Sequence, residues 1–204
     1  SIVAVGGSTV IGVVCAALCG YGLSRYQFKG KAFLLSFLLV TQMFPAVMKI
    51  IPYYKILVSV HLNNTQIGLM VVYASFSIPF CTWMMYGYFK SISTGLDEAA
   101  RVDGSSAFNT FLKIILPIAL PGLVATIIYA FLQNWNEYMF ASVLMSADEK
   151  KTITYAISTM ADAYKIQWNY LMCAAMISSV PTLTVFVVMQ KYLIAGMTAG
   201  AVKE

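Results

Sequence analysis

The chain has 204 residues, 60% of them apolar and 10% charged, with a mean hydropathy of +0.77. Soluble domains are usually about a quarter charged, so water is excluded as the main solvent. The net charge of +5 does not point to nucleic acid, because the basic residues gather at the ends of apolar stretches, where anionic lipid and membrane orientation account for them.

Apolar stretches of roughly 18 or more residues are long enough to cross a bilayer as helices, and too long for the tilted strands of a barrel. The expected fold class is all-α, a polytopic transmembrane helical bundle forming one membrane domain over residues 1–204. Five spans are expected, at about 2–23, 32–54, 67–89, 117–145 and 166–190. The first lines up Ser8, Gly12, Ala16 and Gly20 on one face, a smooth stripe for close approach of a neighbouring helix. Cys15, Cys19, Cys81 and Cys173 all fall within spans and read as small apolar residues rather than a disulfide framework. Pro45, Pro79 and Pro181 are expected to bend their helices. The chain enters its first span almost at once after Ser1, as expected of a polypeptide truncated at its N-terminus.

The third and fourth spans are joined by a patterned segment at about 92–116. Asp97 and Glu98 favour the start of a short helix, with Leu96, Ala99 and Ala100 on one face and Asp97 within reach of Arg101. Gly104 permits a sharp turn, and Ser105 or Ser106 caps a second helix with Phe108, Phe111, Leu112 and Ile115 on its apolar face. Pro117 suits the first turn of the membrane helix that follows. Such a helix-turn-helix either lies on lipid or docks on another protein. Its mixed Asp97, Glu98, Arg101 and Asp103 fits docking better than a lysine-rich membrane-surface face would.

The fourth span carries Gln133, Asn134, Asn136 and Glu137 around Trp135. A charge in the membrane must face protein or water, and Gln133 and Asn134 stand four and three residues before Glu137. Three readings stay open: the lining of a translocation pathway, an interhelical hydrogen-bond cluster, or a glutamate snorkelling to the outer surface.

Enzyme chemistry lacks its parts. His61 is the single histidine, and no GxxxxGK[ST] phosphate loop occurs, so any nucleotide hydrolysis belongs to another chain. Arg25, Lys29, Lys31, Lys90, Arg101, Lys113, Lys191 and Lys203 fall on one side of a five-span topology, against Lys49, Lys55, Lys150, Lys151 and Lys165 on the other. That bias makes the first side, and the C-terminal tail at 191–204, cytoplasmic.

Glu98-Ala99-Ala100, Asp103-Gly104 and Ile115-Leu116-Pro117 resemble the EAA motif of binding-protein-dependent ABC importer permeases. The flanks add Thr41-Gln42-Met43-Phe44-Pro45, Ile78-Pro79-Phe80, Trp135-Asn136-Glu137 and the ending Gly196 to Lys203. Together they resemble the smaller permease of the maltose-type carbohydrate branch over nearly the whole chain. The resemblance implies the type I importer permease fold, with the family's first helix preceding the region present here. It implies a multi-pass subunit of a prokaryotic cytoplasmic membrane that pairs with a second permease. Two ATP-binding subunits would carry ATP and Mg, and an extracytoplasmic solute-binding protein would deliver a sugar or oligosaccharide.

By position, Glu98 would meet a basic residue in a cleft of the ATP-binding subunit, and Ala199, Gly200 and Lys203 would reach the interface between the two ATPases. Ile92-Ser93-Thr94-Gly95 lacks the proline and first acid common before the motif, and Glu204 stands where many members end in glycine. Alternatives are an ABC permease for another solute class, a secondary transporter needing coupling-ion sites, or a membrane scaffold needing neither pathway nor docking loop.

Overall fold

The structure is a computed structural model that describes the backbone of residues 1–160 and 167–201 and the side chains of residues 1–160 and 167–192. Four elements carry the first half: α1 (Ile2–Arg25), α2 (Lys31–Met43), α3 (Ala46–Ser59) and α4 (Gln66–Ser91). The loop region holds α5 (Gly95–Val102), α6 (Ala107–Thr110), a π-helical turn (Phe111–Ile115) and α7 (Leu116–Ile118). Then come α8 (Leu120–Trp135), α9 (Met139–Leu144), α10 (Ile153–Thr159) and α11 (Trp168–Ala201). Among the described residues, α1, α4 and the Trp168–Tyr192 part of α11 are each long and apolar enough to cross a membrane, and five spans result if each bent pair of helices is one span.

The small-residue stripe of α1 decides the centre of the bundle. Ser8, Gly12, Ala16 and Gly20 are all buried, and α1 lies side by side with α4 in the same direction. A Cβ on Gly12 would stand 2.8 Å from Ser77 Oγ, and one on Gly20 would stand 2.9 Å from the Tyr86 amide nitrogen. Without side chains at these two positions the backbones approach closely, and dispersion between them replaces the hydrophobic drive that lipid does not supply. α8 runs back against both. One core cluster gathers Tyr21, Met85, Phe89, Phe111 and Ile115 at the loop end, and another gathers Val5, Tyr73, Trp135 and Phe140 at the opposite end.

Two expectations change. The bend at Pro45 is a full break, since α2 and α3 meet at 100°. Proline has no N–H for the carbonyl four residues earlier, Thr41, and Lys49 Nζ donates to that oxygen instead at 3.5 Å. The segment 117–145 is likewise no single helix. α8 begins at Leu120 with Pro121 in its first turn, meets Ala107–Ile118 at 81°, and stops at Trp135. Pro117 therefore sits in α7, and Pro121 takes the role expected of it. By contrast, Pro79 lies buried within α4, which continues unbroken through it.

Candidate functional site

The connection between α4 and α8 folds as a two-faced hairpin. α5 ends in a paired cap: the Gly104 amide donates to Arg101 O at 3.0 Å and the Ser105 amide to Ala100 O at 2.9 Å. This cap needs a left-handed residue, and Gly104 has φ +79°. Ser106 Oγ then accepts from the Asn109 amide at 3.3 Å, starting α6. The inward face is Asp97, Ala100, Thr110, Phe111 and Ile115, all buried. The outward face of α5 presents Glu98, Ala99, Arg101 and Asp103, together with Val102 at 88% exposure, while Phe108, 61% exposed, lines an apolar groove with Val10, Val14 and Leu18 of α1.

Three sequence expectations are corrected here. Leu96 and Ala99 are exposed and only Ala100 of that trio is buried, because α5 turns Asp97 and Ala100 inward. The second apolar face divides: Phe111 and Ile115 pack into the core while Phe108 and Leu112 stay exposed, since the π-helical turn adds a residue per turn and shifts the register. Leu116 is half-buried and Pro117 exposed. Asp97 does not pair with Arg101. Its Oδ2 lies 2.9 Å from Arg25 Nε, with the two side chains only 8% and 5% exposed, and its Oδ1 accepts from the Tyr21 hydroxyl at 2.6 Å. Sequence reading placed Arg25 among the loop charges that set orientation. The available signal was its position at the end of an otherwise uncharged helix, four residues after Tyr21.

At the opposite end, Gln133, Asn134 and Glu137 do not form one helix face, because α8 ends before Glu137. Gln133 and Glu137 line a cavity of about 610 Å³ together with Gln42, Lys49, Asn136 and Tyr138. Asn134 is turned away from it, buried, and donates to Ser8 Oγ at 3.0 Å. Of the three open readings, Asn134 thus follows the interhelical one. The Glu137 carboxylate accepts from the amides of Phe140 at 2.8 Å and Ala141 at 3.2 Å, capping the start of α9. Sequence reading missed Gln42 and Lys49, which the break at Pro45 brings to this cavity. The side chains of Ala199 and Gly200, and all of Lys203, lie outside the described residues.

The pattern of the family described as binding-protein-dependent transport system inner membrane component matches residues 8–199. The chain is 38% identical over 194 residues to the probable ABC transporter permease protein YurM of Bacillus subtilis, covering 95% of this chain and 65% of that one. It is 32% identical over 196 residues to the trehalose/maltose transport system permease protein MalG of Thermococcus litoralis, covering 96% of this chain and 70% of that one. Among solved structures, a bacterial ABC transporter involved in the import of the acidic polysaccharide alginate superposes with a TM-score of 0.73 at 26% identity. That match covers 93% of this chain and 74% of the other. With its apolar helices, its importer-permease fold and a match spanning nearly its whole length, this integral membrane protein belongs to the family of binding-protein-dependent transport system inner membrane components.

Proposed function

We propose that the chain is the membrane-spanning subunit of an ATP-driven sugar importer, and that the α5–α7 hairpin is the part on which an ATP-binding subunit docks. The observation that carries this reading is the hairpin's two-faced build. One face is anchored in the bundle core, and the other offers Glu98 and, one turn on, Val102 to a partner. A docking surface needs an apolar centre and a charge to set register, and this face has both.

The hairpin side is cytoplasmic in this reading, so the α9–α10 end faces a solute-binding protein outside. Nucleotide closure of the ATPases moves the hairpins, and the bundle switches which side its cavity opens to. Gln133 and Glu137 then belong to the pathway wall, and the tail from Ala199 to Lys203 reaches between the ATPases. A second permease completes the pathway. Sugar as the solute is supported by the trehalose/maltose relative and by a cavity whose hydrogen-bonding groups suit hydroxyls.

The test is Glu98→Lys in the purified importer. Reversing the charge is expected to weaken ATPase attachment by about 2 to 5 kcal/mol where the contact is buried. Retained attachment together with unchanged sugar uptake would overturn the docking assignment.

A further inference from the structure

Arg25, Asp97 and Tyr21 come from two elements 72 or more positions apart and meet in a nearly closed site beneath α5. The Arg25 guanidinium also donates through Nη1 to Phe89 O at 2.9 Å and to Ile92 O at 3.1 Å, the two carbonyls at the end of α4. Its charge therefore ties three places at once: the last turn of α1, the end of α4, and the first turn of α5. Phe111 closes the site from the second arm of the hairpin, its ring centroid 4.9 Å from that of Tyr21 and 6.1 Å from that of Phe89.

A buried ion pair is weak evidence for stability, because desolvation offsets most of its attraction. The Arg25 Nε–Asp97 Oδ2 contact is such a pair, without hydrogen-bond geometry, and direction comes from the Tyr21 hydroxyl on Asp97 and from Arg25 Nη1 on the two carbonyls. We propose that Arg25, Asp97 and Tyr21 are positioning residues that brace α5 to α1 and α4, so that force on the docking face moves the membrane helices rather than tilting the hairpin. The proposal rests on the reading of the hairpin as the docking element. Glu98 makes the contact with the ATPase; the Asp97 beside it, facing the other way, transmits that contact inward. The chain order Asp97-Glu98 thus divides two roles between adjacent carboxylates of one helical turn, the first buried and the second exposed.

The experiment uses the complete importer, reconstituted with its ATPase subunits and binding protein, in three variants. Asp97→Asn keeps the shape of the side chain but leaves Arg25 without a counter-charge. The triple variant Tyr21→Phe, Arg25→Met, Asp97→Leu replaces the whole brace with apolar groups of similar size, which preserves stability without directional bonds. Glu98→Lys reports on docking alone. Readouts are ATPase retention, sugar molecules transported per ATP hydrolysed, and the distance distribution between spin labels at the exposed Asn109 and Ser91.

Asp97→Asn and the triple variant are expected to keep their ATPase subunits, to broaden the distance distribution, and to lower transport per ATP by about fivefold to tenfold. Wild-type transport per ATP in the triple variant would overturn the brace, and so would a narrow distribution in Asp97→Asn. If Asp97→Asn does not assemble, the triple variant decides. The docking reading fails separately, through a Glu98→Lys complex that keeps both its ATPase and its sugar uptake, while the distance distribution still reports on the brace.

Discussion

Asn134 Nδ2 donates to Ser8 Oγ at 3.0 Å, and Ser8 Oγ donates onward to Val5 O at 3.0 Å. Of the readings the sequence leaves open for Asn134, the structure takes the interhelical one, a buried pin between α8 and α1. Replacing Asn134 by Leu is expected to lower thermal stability in detergent by about 1 kcal/mol, the scale of interhelical hydrogen bonds in membranes. Transport per assembled complex should stay within twofold of wild type. A large uptake defect at unchanged stability would return Asn134 to the pathway.

The α1–α4 contact makes a graded prediction about glycines. Gly20→Ala forces its methyl onto Met85 and the Tyr86 backbone, and an overpacked helix contact of this kind costs about 1 to 3 kcal/mol. Gly6→Ala meets open space and is expected to be silent. Thermal midpoints of the two variants, measured side by side, check the difference. Equal midpoints would show that the helices separate freely enough to admit a methyl group.

Gly104 holds the turn of the hairpin at φ +79° with its paired cap. A β-branched residue there is strained, so Gly104→Val is expected to destabilise the turn by about 1 to 3 kcal/mol. The loss should appear as ATPase subunits released during purification, with insertion in the membrane unchanged. Gly104→Asn, which tolerates the left-handed region, is expected to retain most of them.

Glu137 separates capping from pathway chemistry. Glu137→Ala removes both acceptors from the Phe140 and Ala141 amides and is expected to destabilise the α8–α9 junction by about 1 to 3 kcal/mol. Gln133→Ala touches no such bond and is expected to change uptake without moving the thermal midpoint. The two variants assayed together differ in stability, Glu137→Ala lowering the thermal midpoint and Gln133→Ala leaving it, and equal midpoints would refute the division.

What the residues revealed before any coordinates follows from how local each signal is. The stripe from Ser8 to Gly20 and the turn at Gly104 depend on spacing and on the conformational freedom of glycine, and both can be read along the chain. The Arg25–Asp97 pair cannot, because it depends on α1 and α4 ending at the same level, a fact of packing across 72 residues. Local spacing instead favoured Asp97 with Arg101, four residues apart. The early end of α8 hid for a related reason: apolar residues resume at Tyr138 and run to Met145 beyond the polar Gln133–Glu137 patch, and the capping role of Glu137 shows only once the chain has turned.

The break between α2 and α3 has an electrical consequence. Lys49 and Glu137 are the only charged residues among those described that line the polar cavity, and each is already engaged by main chain, Lys49 at Thr41 O and Glu137 at two amides. The cavity wall is therefore formally neutral, and its two charges are held in place rather than free to follow a solute. A passing molecule is met mainly by the dipoles of Gln42, Gln133, Asn136 and Tyr138. With no net charge on either the wall or the solute there is little long-range attraction for dissolved ions to screen, so the passage of a neutral solute past this wall is expected to be insensitive to ionic strength.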